Sequence, residues 1–216
     1  MGFSVVRKTA AMVSVTALLV SSLALADQHN VIKDPGFEMQ VAAEDGGWRP
    51  FQITMFSKNH ARSGDWSMFS GGYSRKITTP PYRIGNDSGA FQEFEVTAGS
   101  MWRMTGYALT PKKLRGSPTF GLIQITFFDA EGNDLGAIET RGAPAKAKLS
   151  DEVNAMSAYG QWIPLDTGTA TAPEGAVLIR AFTLFVDYSG GNESQGVYFD
   201  DIVLCEVDET GECVSD

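Results

Sequence analysis

Carboxylates stand in two short segments near opposite ends of the chain, and their chemistry is that of ligands for a hard cation. Glu38 ends the segment 30–38, and Asp200 and Asp201 lie within the segment 196–204. Both segments are expected to be extended and to carry an outward carboxylate. Because a cation such as Ca²⁺ binds about six to eight oxygens, the pattern favours a β-sandwich whose first and last strands are neighbours and share a cation site.

The elements that would position these carboxylates are short strands. Runs of alternating or β-branched apolar residues are separated by Gly, Pro, Asn and Asp, and sustained helical periodicity is lacking. The predicted fold class is therefore all-β, a two-sheet antiparallel β-sandwich. We expect strands near residues 31–39, 51–56, 66–70, 90–96, 101–109, 120–129, 135–140, 160–165, 177–187 and 196–203.

Two connecting segments have local signals of their own. Gly132 and Asn133 follow a strongly β run and predict a hairpin turn over residues 129–134. Residues 143–158 are rich in Ala and also hold Lys, Leu, Ser, Asp, Glu and Met, and Ser150 is a suitable N-cap, so this segment is expected to be a loop with one short helix.

Residues 1–26 have the features of a secretory signal peptide. Arg7 and Lys8 precede an apolar run, which ends at the small-residue site Ala24-Leu25-Ala26. We therefore expect a secreted or periplasmic protein with one domain over residues 27–205 and a tail over residues 206–216.

Charge and hydropathy limit the partners. The formal charge is −9, and loss of Arg7 and Lys8 would make it −11. Such a balance argues against nucleic acid and anionic membranes, which require clustered basic residues. No later stretch approaches the ~18 apolar residues of a membrane span, so we expect no membrane insertion. We also expect the protein to be a monomer.

The two cysteines, Cys205 and Cys213, both lie close to the C-terminal end. In an exported chain this spacing predicts one local disulfide that fastens the tail to the last strand.

The residue inventory offers few routes to catalysis. The histidines are His29 and His60, and neither a G-x-S-x-G nor an H-E-x-x-H motif is present. Pairs of carboxylates remain open, as does a lyase pair of Tyr107 with Arg180 or Arg103. Spacing alone does not choose among them.

Several pieces occur in the order seen in one group of proteins. They are Asn30 to Glu38, the segment His60-Ala61-Arg62-Ser63-Gly64-Asp65-Trp66-Ser67, the segment Phe91-Gln92-Glu93-Phe94-Glu95-Val96-Thr97-Ala98-Gly99, Trp162, and Asp200-Asp201-Ile202-Val203-Leu204. Together they resemble the carbohydrate-binding modules of families four, nine and twenty-two. The resemblance implies a single β-jelly-roll domain.

The resemblance also implies a structural calcium ion between the terminal segments. Its ligands would be Glu38, Asp201 and oxygens of the turn that contains Ser63 and Gly64. Asp200 is the alternative to Asp201. Neighbouring side chains of a strand point to opposite faces, so at most one of the two is expected to face the ion.

By analogy with such modules, the sugar would lie on the concave face of one sheet. The candidate ligand-binding residues are Tyr107, Gln124, Thr126, Arg180, Phe182 and Asp187. The function expected is binding of a polysaccharide or glycan without catalysis. The alternatives are a small polysaccharide-degrading hydrolase or lyase on the same sandwich, and an envelope or matrix module that contacts other proteins.

Overall fold

A computed structural model describes residues 29–72, 87–116, 118–135, 148–187 and 195–214. The predicted signal peptide, residues 1–26, lies outside these ranges. The strands are β1 Arg49–Phe51, β2 Thr54–Ser57, β3 Ser67–Gly71, β4 Asp87–Glu95, β5 Met101–Leu109, β6 Thr119–Phe128, β7 Lys148–Leu149, β8 Val153–Asn154, β9 Ile163–Thr171, β10 Leu178–Asp187 and β11 Gly196–Glu206. A single 3₁₀ turn, Ala43–Asp45, accompanies them, and no helix of the described residues is long and apolar enough to cross a membrane.

The strands form two antiparallel sheets. Sheet A has the order β1-β4-β10-β6-β7, with β8 also paired to β6. Sheet B has the order β2-β3-β11-β5-β9. β10 and β11 therefore lie inside their sheets, each hydrogen-bonded to a strand on both sides. This arrangement confirms the predicted all-β, two-sheet antiparallel sandwich.

Strand alternation places the core between the sheets. Ile125 and Phe185 contribute to it from sheet A, and Met104, Phe199 and Leu204 contribute from sheet B; all five belong to one cluster of buried side chains. Because successive residues of a strand point to opposite faces, the intervening residues of β6 and β10 face away from the core. The sequence pattern thus fixes which residues are available on the outer faces.

The segment predicted as a first strand, residues 31–39, is not one. Asp34 and Phe37 have positive φ angles of 57° and 62°, which interrupt an extended backbone. The segment nevertheless lies against β11, because the Val31 N–H donates to the Leu204 carbonyl and the Ile202 N–H donates to the Pro35 carbonyl. The expected adjacency of the two ends is confirmed without a regular strand.

Two other predicted elements differ from the structure. The predicted strand 51–56 is divided between sheets at Gln52, whose φ is 54°, so β1 belongs to sheet A and β2 to sheet B. The predicted helix near Ser150 is wrong: Ser150 exchanges two hydrogen bonds with Ile123 and lies between β7 and β8, which both extend sheet A. Sheet pairing overrides the local capping signal there.

The predicted turn and disulfide are both present. The Asp129 N–H donates to the Asn133 carbonyl, and Gly132 has a φ of 81°, so residues 129–134 reverse the chain as expected. The continuation of that hairpin over 136–140 lies outside the described residues. Cys205 and Cys213 are joined by a disulfide.

Candidate functional site

The carboxylates of Asp200 and Asp201 reach the same loop, residues 58–66, which joins β2 to β3. A bulge interrupts the pairing of β11 with β5 after Asp200, and Asp201 has a φ of 50°. This irregularity turns both side chains toward residues 62 and 63. The expectation that at most one of the two would face a calcium ion assumed a regular strand, and the bulge removes that assumption.

Each of these aspartates binds the loop differently. Asp200 is 0% exposed and accepts the backbone N–H groups of Arg62 and Ser63. Asp201 is half-buried; it accepts the Ser63 hydroxyl and forms an ion pair with the Arg62 guanidinium. Burial is the largest cause that raises the pKa of Asp200, the hydrogen bond from the Arg62 amide lowers it, and the Asp201 charge raises it, so that the net pKa is about 7.

Glu38 holds the other end of the loop. Its carboxylate accepts the backbone N–H groups of Asp65 and Trp66 at 2.9–3.1 Å. Gly64 lies directly beneath it with a φ of 57°, and a Cβ atom there would be 2.2 Å from Glu38 Oε1. The structure brings the four predicted metal-site residues together. Ser63 and Gly64 belong to the loop, and Glu38 and Asp201 accept hydrogen bonds from it.

Hydrogen bonds occupy the carboxylates that the predicted calcium ion would need. Every carboxylate oxygen of Glu38, Asp200 and Asp201 already accepts a hydrogen bond from an N–H, a hydroxyl or a guanidinium group. The turn presents its N–H groups to these oxygens, whereas a calcium ion requires converging oxygens. Among the described residues, no group of three or more acidic, His or Cys residues is arranged to hold a metal ion.

Four of the six predicted sugar-binding residues are neighbours on the outer face of sheet A. Arg180 is paired in register with Thr126, and Phe182 is paired with Gln124. Arg180 and Phe182 are half-buried, whereas Gln124 is 5% exposed and Thr126 is 1% exposed. The two polar residues are thus buried beside a phenyl ring and a guanidinium group on this face.

The adjacent strand β4 adds two residues to this face that were not predicted as ligand contacts. Phe91 is paired with Phe182, and Glu93 is paired with Arg180. The two phenyl centroids are 5.4 Å apart, and the ring of Phe51 lies 6.4 Å from that of Phe91. The alternation of Phe91 and Glu93 marks them as same-face residues, but only the order of the strands places them beside β10.

Charges on this face are paired. Glu93 accepts hydrogen bonds from Arg180 Nε at 2.9 Å and from Arg49 Nη1 at 2.8 Å. The Arg180 guanidinium carbon lies 4.2 Å from the centre of the Phe128 ring and 4.7 Å from that of Phe91. Packing between rings and a carboxylate fixes the orientation of this guanidinium.

Two predicted ligand residues lie elsewhere. Tyr107 is on β5 in sheet B, where the Arg62 guanidinium carbon lies 3.5 Å above its ring. Asp187 is 0% exposed, alternates with the outward Arg180 and Phe182, and accepts the Thr119 hydroxyl at 3.2 Å. Neither residue lies on the predicted sugar face. Tyr107 belongs to the other sheet, and Asp187 points to the opposite face of β10 from Arg180 and Phe182.

The same positions separate one proposed catalytic pair. Tyr107 and Arg180 belong to different sheets, so they do not form a lyase pair. Arg103 shares β5 with Tyr107, but its guanidinium binds Asp166 and the Gly211 carbonyl. It thereby attaches the disulfide-linked tail to sheet B.

Comparisons with known proteins agree on the fold. No family model matches the chain, and no curated protein matches it. Among solved structures, a xylan-binding domain of carbohydrate-binding module family 22 matches with a TM-score of 0.52 and 14% identity, over 87% of this chain and 99% of that one.

Two further matches are to parts of larger chains. One is the CBM22-1-GH10 portion of xylanase 10B from Clostridium thermocellum, with a TM-score of 0.50 and 13% identity, over 83% of this chain and 29% of that one. The other is the enzymatically active domain of bacteriophage CBA120 tailspike protein 4, with a TM-score of 0.49 and 10% identity, over 82% of this chain and 21% of that one.

The two sheets, their topology and the match to the family 22 xylan-binding domain show a β-jelly-roll domain with the fold of carbohydrate-binding modules.

Proposed function

We propose that this protein is an exported, non-catalytic module that binds a polysaccharide on the outer face of sheet A. The observation that carries the proposal is the row Phe91, Phe182 and Gln124, paired in register across β4, β10 and β6. Phenyl rings stack on the C–H faces of pyranoses, and a buried amide orients their hydroxyls. One face therefore combines both kinds of contact.

The surrounding contacts support binding rather than catalysis. A glycoside hydrolase requires two carboxyl groups across a cleft, one of which protonates the leaving group. On this face the oxygens of Glu93 are held by Arg49 and Arg180. The disulfide between Cys205 and Cys213 supports an exported protein, because disulfides persist in oxidising compartments.

A polysaccharide panel tests the proposal. We expect insoluble xylan, cellulose or a related neutral polymer to deplete the protein from solution, with no release of reducing or unsaturated ends. Release of such ends would establish catalysis instead. If the protein is not depleted and no ends are released, a protein-contact role is favoured instead.

The resemblance implies a structural calcium ion, whereas the hydrogen bonds of the loop predict that the fold does not depend on one, and a chelation experiment decides between the two. Because the loop is already bound through hydrogen bonds, we expect the melting temperature to be the same in excess EDTA as in excess calcium. A fall of several degrees on chelation, reversed by calcium but not by magnesium, would show that a calcium ion stabilises the fold and would overturn this expectation.

A further inference from the structure

The Gln124 side chain carries a polar atom that the described protein leaves unsatisfied. Its Nε2 donates to the Thr126 hydroxyl oxygen at 2.7 Å, while its Oε1 is buried and has no hydrogen-bond partner. A buried carbonyl without a donor costs about 1–3 kcal/mol. Since Gln124 alternates with the core residues Ile123 and Ile125 and so belongs to the outer face of sheet A, the missing donor can come from a bound molecule.

A free donor lies on the neighbouring strand. Arg180 uses Nε and Nη2 for Glu93, and no hydrogen bond of its Nη1 is found among the described residues. Residues 180 and 124 are diagonal neighbours across β10 and β6, a relation that brings Cβ atoms within roughly 7–8 Å. Phe182 is directly opposite Gln124 and two residues from Arg180 along β10.

We propose that Gln124 and Arg180 recognise two neighbouring free hydroxyls of an uncharged sugar whose ring lies on Phe182. The Gln124 carbonyl accepts a proton from one hydroxyl, and Arg180 Nη1 donates to the oxygen of the other. This assignment rests on the proposed function and names the ligand class that the same face selects.

The preference for an uncharged sugar follows from the acceptors on this face. A uronate carboxylate has no proton to donate to the Gln124 carbonyl. If the carboxylate were buried beside that carbonyl, neither group would have a hydrogen-bond donor. Asp87, which alternates in phase with Phe91 on β4, also has a buried oxygen without a partner. Glu93 pairs with both Arg49 and Arg180, so it offsets one of the two positive charges on this face.

The test removes the polar pair without changing its shape. We expect the double variant Gln124→Leu/Thr126→Val to bind soluble xylan or hydroxyethylcellulose about tenfold more weakly in affinity electrophoresis, with an unchanged or higher melting temperature. Thr105→Val, on the outer face of sheet B, is the matched control and should bind as the parent does. Polygalacturonate should be retained more weakly than either neutral polymer.

The outcomes separate this inference from the proposed function. Wild-type affinity in the double variant would overturn the inference while leaving polysaccharide binding intact. A marked fall in the melting temperature would show a structural role for Gln124, and tighter retention of polygalacturonate would overturn the uncharged ligand. If the parent protein is retained by none of the three polymers, the proposed function fails first.

Discussion

Gly64→Ala is expected to lower the free energy of unfolding by about 2–3 kcal/mol. Gly64 has a φ of 57°, a conformation that costs a non-glycine residue about 1–2 kcal/mol. The new Cβ would also lie 2.2 Å from Glu38 Oε1, so the carboxylate must move and lose its hydrogen bonds to Asp65 and Trp66. Urea denaturation followed by tryptophan fluorescence measures the change.

Gly168→Ala is the matched control for this variant. Gly168 has a similar φ of 64°, but a Cβ there would have no neighbour within 4 Å. It should therefore cost about 1 kcal/mol, from the backbone alone. Equal losses in the two variants would mean that Glu38 does not secure the loop.

Phe182→Ala is expected to weaken polysaccharide binding by at least about tenfold. Phe182 lies between Phe91 and Gln124 in the register of sheet A, and its ring is half-buried. Aromatic residues at the centre of a contact surface contribute about 2 kcal/mol or more to binding. Retention on the neutral polymers of the panel measures the loss.

Phe69→Ala is the control for the opposite face. Phe69 is also half-buried, and its ring packs on Tyr198 in sheet B with centroids 4.8 Å apart. It should keep the parent's affinity, even if it loses some stability. If Phe69→Ala lost binding while Phe182→Ala bound normally, the result would show that the ligand binds on sheet B.

Periodicity predicted the features that depend on neighbours along a strand. The alternation from Ile179 to Phe185 identified β10, and that from Leu122 to Phe127 identified β6, so the shared face of Arg180, Phe182, Gln124 and Thr126 followed once the two strands were paired. The same alternation places Asp187 on the inward face of β10, opposite to Arg180 and Phe182, so its prediction as a ligand contact on that face was wrong.

The remaining errors come from information that a local pattern does not contain. The sheet to which Tyr107 belongs depends on strand order, which is decided by contacts distant in sequence. Positive φ values at Phe37 and Asp201 have no sequence signal, because neither is a glycine. The surrounding packing and hydrogen bonds impose them, and they determine how the loop is bound.

The position of β11 has a consequence for the order of folding. It is the last strand along the chain, yet it lies between β3 and β5, and the segment around Val31 is bonded to its second half. Sheet B therefore cannot close while residues 196–206 are still being synthesised, so its assembly follows the synthesis of β11. Until then β3 and β5 lack the strand that joins them, and the polypeptide keeps an incomplete sheet.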